Sequence, residues 1–149
     1  LRDKIQNILE HLSKSLERNK DLFYDAEEIW NELETMGYSD CDIQSALEII
    51  EKNCLSIPGP YWSHQLPVYR IYTHEEHSQI LPRLQGYLWK LKCQGIIDHA
   101  LEDEIIQKLM NLEEPPNLKD IKIVASLTIF GYEQKLQDEN SIGVSPYLN

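Results

Sequence analysis

Two groups of side chains in this 149-residue chain are of the right types and close enough in sequence to do chemistry together. Between Asp21 and Glu51 stand ten carboxylates and no Lys or Arg. A field of that sign repels phosphate and speeds encounter with a basic protein surface, so it bears on association more than on fold. Glu28, Glu32, Asp42 and Glu48 are the residues of this stretch expected to face such a partner. Between Tyr69 and Lys92, by contrast, Arg70, Arg83, Lys90 and Lys92 are interleaved with Trp89 and three tyrosines, Tyr69, Tyr72 and Tyr87. Cations beside aromatics suit contact with a phosphate backbone plus base stacking, so RNA or single-stranded DNA is the alternative ligand, through residues 69–92 and not through residues 21–51.

Other constellations are thinner. His74-Glu75-Glu76-His77 places two imidazoles three apart in what reads as the first turn of a helix, with no third ligand at a recognisable distance, so no metal is expected. Cys93 and His99 are separated by a helix break, a poor arrangement for a thiolate pair. Neither a Gly-rich phosphate loop, nor a nucleophile elbow, nor a dinucleotide fingerprint occurs. The sequence therefore predicts no catalytic residue and no cofactor, and a non-enzymatic regulatory or adaptor role.

The charge is uneven. The formal net charge is −11, yet residues 1–20 and 52–100 are each slightly basic, residues 101–149 are mildly acidic, and the excess is concentrated in residues 21–51. With 42% hydrophobic residues the chain is too apolar for a disordered acidic tail, and its longest uncharged apolar run, residues 123–130, is too short for a bilayer. No signal peptide is recognisable at the start, and three widely spaced cysteines do not make a fully paired disulfide framework. These features lead to the expectation of a cytoplasmic protein with no membrane association.

The elements that must position these groups follow from periodicity. Ile5, Ile8, Leu9, Leu12 and Leu16 form one stripe of a first helix. Ile29, Trp30, Leu33 and Met36 mark a second, stopped at Gly37, and Ile43, Ala46, Leu47 and Ile50 a third, begun at Ser39 or Asp40 and ending near Asn53. Pro58, Gly59, Pro60 and Pro67 then forbid a helix, making residues 54–67 a linker, with Tyr61 and Trp62 expected to pack onto one of the halves. Val68 to Tyr72 reads as a short strand. Thr73 and Glu76 match a capping box, Pro82 opens a helix closed by Gly95, Asp98 caps another, and Asn117 caps a last helix expected to end near Tyr132.

The expected fold is thus mainly α: an acidic tri-helical unit over residues 1–53, a Pro-rich linker, a helical unit with one short strand over 68–133, and a flexible tail over 134–149. The spacing of Leu33, Gly37 and Ile43 has a helix-turn-helix outline. Its second helix, however, offers Asp40, Asp42, Glu48 and Glu51 where a DNA reader needs cations. Each such carboxylate near a phosphate costs about 1 kcal/mol even at the dielectric of water, so this outline is read as a tri-helical scaffold and not as a DNA-binding device.

The residues Arg70-Ile71-Tyr72-Thr73 with Glu75-Glu76, Gly86-Tyr87-Leu88 with Leu91, Gly95-Ile96-Ile97 and Leu118-Lys119-Asp120-Ile121-Lys122 resemble the Smg family of bacterial proteins, as do Met36-Gly37-Tyr38, Asp42-Ile43, Ala46-Leu47 and Glu51-Lys52. The likeness runs from the first helix to about Phe130. Departures from the family pattern fall at His74, Gln85 and Ile123. The resemblance implies no agreed activity, and no catalytic residue is carried over from it.

Overall fold

The computed structural model describes residues 2–61 and 67–147, with side chains of residues 3–61 and 67–136. Its elements are α1 (Arg2–Glu17), α2 (Ala26–Thr35), α3 (Asp40–Cys54), α4 (His74–Gln79), α5 (Pro82–Cys93), α6 (His99–Met110) and α7 (Leu118–Tyr147). The chain divides into two compact units: residues 1–50 with 129–149, and residues 51–128.

In the first unit the stripe residues Ile8, Leu12 and Leu16 of α1, Ile29 and Leu33 of α2, and Ile43, Ala46 and Ile50 of α3 are all buried, together with Leu22 and, from α7, Ile129. The apolar stripe is what turns these segments from marginal isolated helices into stable ones. Two stops work as the sequence implies. Gly37, at φ 98°, takes the left-handed conformation that ends α2, and the Ser39 hydroxyl accepts the Asp42 amide (3.2 Å) while the Asp42 carboxylate accepts the Ser39 amide (3.0 Å), starting α3. Met36, expected on the buried stripe of α2, is instead the C-cap residue and is exposed. The helix has run out before the stripe comes round again.

The second unit is built on Leu84, Leu88 and Leu91 of α5, Leu101, Ile105, Ile106 and Leu109 of α6, and Ile121, Val124, Ala125 and Leu127 of α7, with Ile96 and Ile97 between α5 and α6. Asp98 caps α6 by accepting the Leu101 amide (2.8 Å), and the capping box of α4 is formed in full by Thr73 and Glu76. Within the proline-rich stretch, the Gly59 amide donates to the Gln94 carbonyl (2.9 Å) and the Tyr61 amide to the Gly95 carbonyl (2.6 Å). A Cβ on Gly59 would collide with the backbone of Gly95 and Ile96, so only glycine permits this approach. These residues belong to the second unit, and the division of the chain falls at residues 50/51. Trp62, expected to pack here, lies outside the described residues.

Two expectations differ from the observed elements. Val68 to Tyr72 form no strand, because no second extended segment among the described residues runs beside them. The last helix does not stop near Tyr132, and residues 134–147, expected as a tail, continue α7. Residues 133–139 consist mostly of good helix formers, and nothing before Gly143 interrupts them.

Candidate partner-binding groove

The first unit carries an open surface groove of about 810 Å³, lined by residues of α1, of α2 and of the turn that joins them. Its walls include Asp25, Glu27, Glu28 and Glu32, one guanidinium from Arg18, the imidazole of His11, and the side chains of Tyr24 and Met36. The helical period explains the acidic side: Glu28 and Glu32 are four apart and share a face, with Ile29 and Leu33 turned into the core. Tyr24 and Met36 are 55% and 54% exposed, so the groove offers apolar surface as well as charge.

Two of its carboxylates are held by side chains from outside the acidic stretch. The Lys20 ammonium donates to Glu28 (2.9 Å) and to Glu32 (3.0 Å), and Nε2 of His11 lies 2.9 Å from the other oxygen of Glu32. The hydrogen bond to Glu28, then that to Glu32, holds the Lys20 pKa above the ordinary lysine range. The reciprocal bond from Lys20, then that with His11, holds Glu32 below the ordinary carboxylate range. Glu28 and Glu32 are therefore spaced to grip one ammonium between them.

Of the four acidic residues expected to face a partner, Glu28 and Glu32 lie together in this groove, whereas Asp42 and Glu48 do not line it. Asp42 serves the start of α3; backbone and side-chain hydrogen bonds to Ser39 hold its carboxyl below the ordinary range. Glu48 is exposed on α3. The residues missed by the sequence reading are His11, Lys20, Tyr24 and Met36. Lys20 stands one position before the acidic stretch, and His11 sits between Ile8 and Leu12 at the border of the α1 stripe, a polar residue at the edge of a buried face.

The cations of the second unit are distributed differently. Arg70 is ion-paired to Glu76 (2.7 Å) and Asp103 (2.6 Å) and lies over the Tyr72 ring, its guanidinium carbon 5.7 Å from the centroid. Lys92 is buried against Glu102 (2.9 Å) and donates to the Val68 carbonyl (2.7 Å). Trp89 is half-buried with Tyr69 edge-on at 5.1 Å between centroids. Only Arg83 and Lys90, of the five residues expected to meet nucleic acid, are exposed. Burial of Tyr72, and then the charge of Glu102, push its phenol far above the ordinary range.

No group of three potential metal ligands is assembled among the described residues, and none of the helices searched there is long and apolar enough to cross a membrane. His77 instead meets Gln85, its Nδ1 3.0 Å from Nε2 of the amide, and His74 is exposed.

A family model described as "Protein of unknown function (DUF494)" matches residues 5–142. The chain is 27% identical over 132 residues to "Protein Smg homolog" of Methylococcus capsulatus, covering 87% of this chain and 84% of that protein. Proteins of the same name from Idiomarina loihiensis and Shewanella pealeana are 31% identical over 117 residues (71% of each chain) and 29% identical over 114 residues (74% of this chain, 73% of that one). No solved structure matches.

Proposed function

The chain belongs to the Smg family, the DUF494 proteins, and from the groove of its first unit we propose that it is a non-enzymatic adaptor that binds a basic protein partner between α1 and α2. The observation that carries this reading is the pairing of Glu28 and Glu32 across one ammonium, beside Asp25 and Glu27 and flanked by exposed Tyr24 and Met36. Carboxylates so spaced suit an arginine or lysine of a partner, for which Lys20 is the internal equivalent; charge sets encounter and register, and the aromatic and thioether side chains supply the apolar anchor.

The alternative through residues 69–92 is less well supported, since Arg70 and Lys92 already satisfy carboxylates of their own unit. Binding of RNA or single-stranded DNA by Arg83, Lys90 and Trp89 would show as affinity falling steeply with salt.

The adaptor reading is tested by capturing proteins from cell extract with the wild type, with E27K/E28K/E32K and with E48K. The groove variant should lose basic proteins that both other chains retain. An identical set bound by all three would refute the reading; loss with E48K as well would reduce it to general acidity.

A further inference from the structure

From Tyr69 to Tyr72 the side chains alternate in burial as those of a strand do, without forming one, while Val68 before them is exposed (77%). Tyr69 and Ile71 are 51% and 92% exposed, whereas Arg70 is largely enclosed and Tyr72 is buried. The run contains neither helix nor turn, and it leads into Thr73, whose backbone is extended (φ −72°, ψ 166°).

What fixes the segment is chemistry of side chains. The Lys92 ammonium grips the Val68 carbonyl, and the Arg70 guanidinium is anchored to Glu76 and Asp103. Those bonds take up one peptide carbonyl of the segment, that of Val68, and none of its peptide N–H groups. Among the described residues, the amides of residues 68–72 have no backbone acceptor. A peptide N–H is an obligatory donor, so these groups are met by water or by another chain.

We propose that Val68–Tyr72 is a strand-addition edge, which takes an extended segment of a partner protein. The partner's backbone pairs with the peptide groups of residues 68–72, and its alternate side chains, β-branched or aromatic, cover Tyr69 and Ile71. The Trp89 ring against Tyr69 gives that outer face a rigid backing.

The size of the edge identifies the occupant. Five residues give a contact about 17 Å long and one strand wide. Two copies of this chain paired only through it would bury well under the ~1,200 Å² of a stable specific interface. A segment that is part of a partner, and continues past both ends of the edge, is not limited in that way.

The test uses the isotope-labelled full chain and two synthetic probes: an acetylated Thr-Val-Thr-Val-Thr-Val-Thr peptide, and the same peptide N-methylated at alternate residues so that one edge cannot pair. Amide exchange at residues 68–72 should slow by roughly fivefold or more at saturating unmodified peptide, and not with the methylated one. Ile71→Pro, which removes an amide without a described backbone acceptor and suits an extended position, should leave the melting temperature unchanged and abolish protection; Ile71→Thr should retain it. Absence of protection, or equal protection by both probes, overturns the proposal. So does protection that rises with protein concentration in the absence of peptide, which would assign the edge to a second copy.

Discussion

Glu32 and Glu102 are both glutamates bonded to a lysine at about the same distance, 3.0 Å from Lys20 and 2.9 Å from Lys92. One pair lies at the surface of the first unit. The other is enclosed in the second, with side chains only 6% and 1% exposed. Burial, not residue type, decides what a charge does in this protein. Enclosed, the pair is committed to the fold, because neither charge can return to water without its partner. At the surface, water competes with Lys20 for the same carboxylates, so Glu28 and Glu32 contribute little to folding and remain exchangeable.

The largest effect that could break this contrast is the loss of one member of the enclosed pair. Lys92→Met or Glu102→Gln should destabilise the protein by about 3–5 kcal/mol in denaturant unfolding, since each leaves a buried charge uncompensated. The double variant K92M/E102L should recover most of that loss. If either single variant melts like the wild type, the pair is not an internal support of the fold. Next in size is Gly59→Ala, where a methyl group meets the backbone of Gly95 and Ile96; overpacking of this kind costs about 1–3 kcal/mol, readable by the same method.

A smaller effect sharpens the contrast through pH. Burial works against the ionised form of Glu76, but hydrogen bonds from Arg70 and the Thr73 amide outweigh it and leave the carboxyl below its ordinary range. A depressed folded-state pKa means stability that is present above the unfolded value and lost as pH falls through the folded one. The stability gap between wild type and Glu76→Gln should therefore be constant near neutrality and close in acid. A gap that widens in acid would contradict the assignment. The smallest effect is expected in the groove: Lys20→Ala and Glu28→Gln should leave the melting temperature essentially unmoved while changing which proteins the chain retains.

The helices were legible in the sequence because each carries an apolar stripe and a recognisable stop, as α3 shows with Ile43, Ala46 and Ile50 behind Ser39. The strand was not, because Val68–Tyr72 has the β-branched and aromatic composition of a strand, whereas pairing depends on a neighbour that composition cannot reveal. The groove was half legible. Ten acids without a base announce a surface, and the i, i+4 spacing of Glu28 and Glu32 puts them on one face. That Lys20 and His11 reach them is a long-range fact, set by how α1 and the turn after it pack against α2. The cations of the second unit misled for the same reason: nothing local shows that Arg70 will meet Asp103, 33 positions away, or Lys92 meet Glu102.

The most direct test of the account is the hydrogen-exchange footprint left on the full chain by a basic partner retained by the wild type and lost by E27K/E28K/E32K. Slowed exchange confined to the segments that line the groove, from His11 through Met36, is the predicted result. A footprint on α5 around Arg83 and Lys90, with residues 11–36 unchanged, would contradict it.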